Sequence, residues 1–220
     1  MQQSLRIIVA DDHPLFREAL QQALGNLFES VSFVEADSFD SLQGVTADNE
    51  DADLILLDLD MPGAHGFSAL AWLRTQYPAL PVMIVSAASD PRVMRRSVEF
   101  GASGFIPKSS SLEEIATAIR SVLEGAVWLP ESALATEDEA IREDQELAQR
   151  IAALTPQQFR VLMMLADGLL NKQIAAELSV SEATIKAHVT AILRKMGLRS
   201  RTQAAVAARR LERAASLEQI

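Results

Sequence analysis

The sequence predicts a doubly wound α/β unit, built on a five-stranded parallel sheet, followed by a smaller all-α unit. Three observations predict it. Short apolar runs alternate with amphipathic segments over the first 125 residues, no strand pattern is found beyond Ile151, and the charge changes sign along the chain. A chain of 220 residues is long for one domain and comfortable for two, since domains run about 100–150 residues.

Strands are expected near residues 5–10, 31–36, 53–58, 82–86 and 104–106, with helices between and after them. The run Leu54-Ile55-Leu56-Leu57 is continuously apolar, as suits a strand covered on both faces, and Asp58 would stand at its C-terminal end. Asp90-Pro91 offers a cap followed by proline, and Ser111 with Glu114 forms a capping-box pattern. Residues 126–150 read as an acidic linker with some helical content, the acids being densest from Thr136-Glu137-Asp138-Glu139 to Glu146. In residues 151–220, three or four short helices are divided at Gly168, at Val180-Ser181 and from Gly197 to Ser200. Thr155, Pro156 and Gln158 supply a cap, a first-turn proline and a capping-box acceptor, so a helix starts there.

The overall charge of −10 is an average over sorted segments: residues 1–126 carry a net −10, residues 127–150 a net −5, and residues 151–220 a net +5. The acidic whole has no general affinity for nucleic acid, whereas the small basic unit suits a phosphate backbone. With 49% hydrophobic residues and every apolar run well short of the roughly 18 residues of a membrane span, no membrane partner is expected. The start passes almost directly into LRIIVADD, without a secretory pattern, so a cytoplasmic location is expected. The absence of cysteine removes disulfides, thiolate nucleophiles and zinc-thiolate sites.

In an open parallel sheet, ligands bind outside the carboxyl ends of the strands. Asp11 and Asp12 end the first strand, Asp58 the third and Ser86 the fourth, and Lys108 follows the fifth. Three carboxylates in one crevice need a cation, and a hard all-oxygen site suits Mg²⁺, which also binds phosphate. A carboxylate held in line beside it is a nucleophile for a phosphoryl group, making Asp58 an acceptor candidate. On spacing alone, Asp11-Asp12-His13-Pro14 could equally cap the first helix, and His13 reads as a helix-entry residue rather than a ligand.

The segments ADDHPLFREAL, LLDLDMPGAHGF, VMIVSAAS and GASGFIPK resemble, in order, the four landmark segments of the response-regulator receiver family, over roughly residues 4–125. The resemblance implies a flavodoxin-like (CheY-like) receiver in which Asp58 is phosphorylated, Asp12 binds Mg²⁺ directly, Asp11 helps to hold it and the backbone carbonyl of Asp60 completes the protein ligands. It makes Lys108 and Ser86 the groups that contact the phosphoryl oxygens, and Phe105 the aromatic switch that turns inward once Ser86 has moved. Phe105 lacks the hydroxyl that many relatives carry there, so its readout is expected through packing.

LTPQQFRVL and GLLNKQIAAELSVSEATIKAHVTAILRKMGLRSRTQA resemble the LuxR-type helix-turn-helix domain, nearly continuously from Leu154 to Leu211. Asn171 to Leu178 would be the supporting helix, Leu178-Ser179-Val180-Ser181 the turn and Glu182 to about Met196 the recognition helix, with Ser181 as its cap. Ile185, Val189, Ile192 and Met196 share the face expected to meet the core, and His188 borders that stripe as a packing residue. Ala183, Lys186, Ala187, Thr190 and Arg194 share the outer side, with Lys186 the best base contact. Lys172, Lys195, Arg199, Ser200 and Arg201 are phosphate candidates. Thr190 stands where relatives often have a second basic residue, Ala187 where they have valine and Gln158 where they have glutamate.

The pairing resembles the NarL/FixJ group of two-component response regulators. It implies a sensor histidine kinase and promoter DNA as partners, homodimerisation on phosphorylation, and RNA polymerase as a further contact, with no enzymatic activity. At rest, the acidic receiver would pack against the basic domain or simply fail to dimerise. Two rivals are a phosphatase-like hydrolase, for which no general acid or substrate cavity is evident, and a phosphorylation-independent transcription factor that keeps the receiver for dimerisation.

Overall fold

The computed structural model describes residues 4–64, 66–134 and 139–213. Five strands, β1 (Leu5–Ala10), β2 (Val31–Ala36), β3 (Leu54–Leu57), β4 (Val82–Ser86) and β5 (Gly104–Pro107), form one parallel sheet in the order β2-β1-β3-β4-β5. Between and after them run α1 (Pro14–Leu27), α2 (Phe39–Asp48), α3 (Ser68–Gln76), α4 (Pro91–Glu99) and α5 (Leu112–Leu123). The expected doubly wound architecture is therefore present.

Because strand side chains alternate, the sheet builds two cores. Ile7, Val9, Leu54, Leu56, Met83, Val85 and Ile106 pack with Leu20 and Leu24 of α1 and Ile115, Ile119 and Val122 of α5. The opposite face, with Ile8, Ile55, Leu57, Val82, Ile84 and Phe105, packs against α2, α3 and α4. β3 and β4 are buried at every residue, as their unbroken apolar runs require. The capping pattern at α5 is half realised: the Ser111 side chain accepts from the Glu114 N–H, without a reciprocal bond from Glu114.

The chain does not leave the sheet after α5. The Phe105 N–H donates to the Trp128 carbonyl (2.9 Å) and the Trp128 N–H to the Ser103 carbonyl (3.1 Å), so residues around Trp128 extend the β5 edge. Two helices follow, α6 (Glu131–Leu134) and α7 (Glu139–Ala152). Helical content in the linker region is thus substantial, while Thr136, Glu137 and Asp138 lie outside the described residues. The last four helices are α8 (Pro156–Ala166), α9 (Asn171–Glu177), α10 (Glu182–Met196) and α11 (Arg201–Arg213). α8 starts on the expected reciprocal capping box of Thr155 and Gln158.

The core over the α3–α4 face continues without a break through Leu147, Ile151, Leu154, Phe159 and Leu162 into the helical unit. α7 and α8 lie against α3, α7 also lies against α4, and the Phe67 N–H donates to the Leu211 carbonyl at 3.1 Å. Among the described residues, no helix is long and apolar enough to cross a membrane.

A Cβ on Gly104 would lie 3.0 Å from the Trp128 carbonyl oxygen and 3.1 Å from its Cβ. A Gly104→Ala variant is therefore expected to push the Trp128 segment off β5 and lose about 1–3 kcal/mol of stability, read as a lower urea midpoint with a changed tryptophan emission.

Candidate functional site: a carboxylate crevice and an exposed helix face

The sheet ladder continues one residue past the strand ends and fixes two of the carboxylates. The Asp11 N–H donates to the Ala36 carbonyl (2.9 Å) and the Asp58 N–H to the Ala10 carbonyl (2.8 Å). The Lys108 N–H donates to the Ser86 carbonyl at 2.8 Å, which sets the lysine at the same edge. Asp11, Asp58 and Ser86 are 2%, 3% and 0% exposed. The Lys108 ammonium reaches both acids, at 2.7 Å from Asp11 Oδ2 and 2.8 Å from Asp58 Oδ2, with the Phe16 ring 4.9 Å away. The strand-end residues expected from the sequence thus meet.

The electrostatics of the trio are lopsided. Burial first of all drives the Asp58 carboxyl above its ordinary value, and the hydrogen bond and charge of Lys108 only partly offset it, while the Asp11 charge adds to the rise. For Lys108, burial works downward, yet contacts with Asp11 and Asp58 prevail and hold its ammonium above the usual value. The two directions are compatible because one ammonium enjoys two carboxylates, whereas Asp58 has only a share of one ammonium.

Asp11 Oδ2 and Asp12 Oδ1 are buried without a well-formed hydrogen bond, although Lys108 Nζ lies 2.7 Å from the first and His13 Nδ1 2.7 Å from the second. Carboxylate oxygens left so are what a divalent cation satisfies, and Asp11, Asp12, His13 and Asp58 each bring a ligand atom within 4.8 Å of the others. The Asp60 N–H bonds to the Asp58 carboxylate and the Asp60 side chain is exposed. The neighbourhood of Asp11 also contains Arg17, which sequence reasoning passed over. The Arg17 guanidinium donates to the Asp11 carbonyl and, at 2.6 Å, to Glu35 Oε2. His13 enters α1 as expected, but its ring also lies against both aspartates. Position one turn apart on α1 was the only signal for Arg17.

Ser86 Oγ accepts from the Ala88 N–H at 3.2 Å. Phe105 is 0% exposed, its ring lying inward in this conformation. A ring without a hydroxyl has nothing to hold it at the surface and gains by entering the core.

In the helical unit, Ile185, Ile192 and Met196 of α10 are buried, and Val189 and His188 are half-buried, on the expected face. Ser181 caps α10 through the Thr184 N–H, and Gly197 ends it at φ 66°. Ala183, Lys186, Ala187, Thr190 and Arg194 are all exposed, with Lys186 3.2 Å from Glu182 and Thr190 Oγ1 bonded to the Lys186 carbonyl. Lys172 and Arg199 are exposed too. Three of the phosphate candidates are engaged within the fold instead. Lys195 Nζ donates to the Ala153 carbonyl and Gln158 Oε1, both at 2.8 Å. The Arg201 guanidinium donates to Asn171 Oδ1 and the Leu169 carbonyl, and Ser200 Oγ accepts from the Gln203 N–H at the start of α11.

Comparison with known proteins agrees with both halves: residues 7–120 match the response regulator receiver domain, and residues 152–208 match the luxR family of bacterial regulatory proteins. The chain is a member of the response-regulator family. A similar protein is the glycerol metabolism activator of Pseudomonas putida, 42% identical over 208 residues that span 92% of this chain and 94% of that protein. Another is the nitrate/nitrite response regulator NarL of Escherichia coli K12, 32% identical over 207 residues, 93% of this chain and 95% of the relative. Among solved structures, the RcsB response regulator of Salmonella typhimurium has a similar fold, with a TM-score of 0.55 at 22% identity over 92% of this chain and 97% of that one. This response regulator therefore joins a receiver to a LuxR-type DNA-binding domain and belongs among transcription regulators.

The raised Asp58 carboxyl carries a stability consequence in the ion-free protein. Between the ordinary carboxylate range and the higher folded value, the folded state binds more protons than the unfolded one, so stability falls as pH rises through that window. An Asp58→Asn variant in chelator is expected to show a higher urea midpoint than wild type at pH 7, with the advantage shrinking toward pH 4.

Proposed function

We propose that Asp58 accepts a phosphoryl group from a sensor histidine kinase and that this modification controls homodimerisation, and through it promoter binding. The observation that carries the reading is the convergence of Asp11, Asp58 and Lys108 at one sheet edge, with both carboxylates buried. In this reading residues 1–125 are the receiver, 126–150 the linker and 151–220 the DNA-binding domain, in a cytoplasmic protein with no enzymatic activity of its own.

An oxygen of the Asp58 carboxylate attacks phosphorus; the O–P bond forms as the P–N bond of a phosphohistidine breaks, and the departing imidazole takes up a proton. Lys108, already 2.8 Å from Asp58, stands ready to donate to the phosphoryl oxygens, and the Ser86 hydroxyl is available as a second donor. Asp11, Asp12, Asp58 and the Asp60 carbonyl would hold Mg²⁺, which when bound neutralises charge on the transferring oxygens.

Of the two resting arrangements expected, the exposed reading face of α10 favours control by pairing over control by masking, since the receiver packs on α7, α8 and the end of α11 and leaves Lys186, Ala187, Thr190 and Arg194 open. Lys186 and its neighbours would read bases in the major groove, with Lys172 and Arg199 on phosphates. RNA polymerase is the further partner of a regulator so placed.

Incubation with Mg²⁺ and acetyl phosphate, followed by intact mass and light scattering, is expected to give a phosphoryl adduct and a shift toward dimer in wild type and neither in Asp58→Asn. An adduct in the variant would sink the acceptor assignment, and an adduct without a change of assembly would sink control by pairing. On a bound operator, Lys186→Ala is expected to lose about 1–3 kcal/mol with relaxed sequence preference, and Arg199→Ala to weaken all sequences alike and lower the salt slope by about 1, both measured by fluorescence anisotropy.

A further inference from the structure

We propose that His13 is an imidazole ligand of the ion site, which raises the receiver's preference for transition-series divalent ions such as Mn²⁺, relative to Mg²⁺, above that of an all-oxygen site. The inference rests on the reading of Asp11, Asp12 and Asp58 as ion ligands.

Adjacent ligand atoms on an octahedral ion with bonds near 2.1 Å stand about 3 Å apart, and opposite ones about 4.2 Å. His13 Nδ1 is 2.7 Å from Asp12 Oδ1 and 3.1 Å from Asp11 Oδ1, so the ring nitrogen stands at about the spacing of an adjacent ligand from one oxygen of each aspartate. The widest separation within the four-residue group, 4.8 Å, closes onto an ion with a shift of well under an ångström.

The local backbone explains why the ring is there. The His13 N–H donates to Asp11 Oδ1 at 2.8 Å, and Pro14 opens α1 immediately afterwards. His13 is the residue before the helix, with an extended φ of −98°, yet its side chain makes no capping bond. The ring is turned to the carboxylates instead. Its side chain is 64% exposed, so it stands at the rim of the crevice, between solvent and the buried acids. The oxygen it faces, Asp12 Oδ1, is buried without a well-formed hydrogen bond.

Ligand chemistry sets the consequence. Mg²⁺ is hard and keeps its waters in preference to imidazole nitrogen, whereas the later divalent ions bind nitrogen progressively better. Lys108 occupies Asp11 Oδ2 and Asp58 Oδ2 from the inner side, leaving the rim, where His13 stands, as the open approach for an ion.

The test uses the full chain loaded with Mn²⁺, with direct nitrogen coupling read by electron spin-echo modulation and affinities by titration of the free-ion signal. Wild type is expected to show a directly bound nitrogen whose isotope pattern changes when histidine is ¹⁵N-labelled. The signal is expected to vanish in His13→Phe and to persist in His65→Phe, a change at the histidine of the LLDLDMPGAHGF segment. Loss of a ligand is expected to lower Mn²⁺ affinity about tenfold, at the lower end of what even outer-shell changes at metal sites cost, while Mg²⁺ affinity stays within about twofold. His13→Asn, which retains a polar side chain at the helix start, serves as a second variant with the same expected loss of coupling. Mn²⁺ bound at the aspartates without nitrogen coupling in wild type overturns the assignment of His13 and leaves the ion site standing. Coupling that disappears in His65→Phe and not in His13→Phe also overturns it. Binding of neither ion, or binding unaffected by Asp12→Asn, overturns the ion site itself and the inference with it.

Discussion

Two buried acids share one ammonium at the edge of the sheet, and neither can leave, because the N–H of each is held by the neighbouring strand. The strand order β2-β1-β3-β4-β5 is what makes this possible: it sets β1 beside β3, so that Asp11 and Asp58 follow adjacent strands, and brings β4 and β5 alongside with Ser86 and Lys108. The charges do not balance locally. A single lysine cannot offset both carboxylates and their burial, and the upward pressure on Asp58 is the sign of that deficit. Such a site gains from any cation that enters, and the phosphorylation proposed for Asp58 would change its balance again by adding charge where Lys108 already reaches.

The segments flanking this crevice run to the other half of the chain. From Asp58, the loop after β3 reaches Phe67, whose N–H bonds to the Leu211 carbonyl of α11 and whose ring lies 5.2 Å from that of Phe100. From the other side, β5 carries Phe105, whose N–H is held by Trp128 at the start of the linker. A hydrogen bond of this kind contributes on the order of 1 kcal/mol net. Contacts of that size are firm enough to define an arrangement and weak enough for a ligand-scale free energy to redistribute it.

The strands, their buried runs and the helix caps were legible because each depends on a few neighbours in sequence: the β3 run of Leu54 to Leu57, the Thr155–Gln158 box, and the spacing of Ile185, Ile192 and Met196. The meeting of Asp11, Asp58, Ser86 and Lys108 was legible because one topological rule places strand ends together. What escaped depends on side-chain direction across the fold. His13 could be placed at a helix entry, but no periodicity tells which way its ring turns. Lys195 and Arg201 carry the charge and the position of phosphate contacts, yet each finds carbonyl oxygens of a neighbouring segment. The Trp128 extension of β5 is a single bridge, too short to leave an alternation pattern.

The charge distribution gives the open face of α10 its meaning. A DNA-binding domain with a net charge of +5 is tethered to a receiver and linker that carry −15 between them, so the phosphate backbone that attracts one repels the other. Of the basic residues singled out on and around α10, Lys195 and Arg201 are engaged internally, which leaves a small set for phosphates. Each neutralised phosphate adds a salt-sensitive increment, so one copy with few such contacts would hold DNA weakly. Two copies joined through their receivers make the second engagement intramolecular, at a raised effective concentration, without a new contact on either helix. On the proposed reading, a face that is exposed in one copy but would hold DNA weakly there is sufficient for control, provided that the receiver governs pairing.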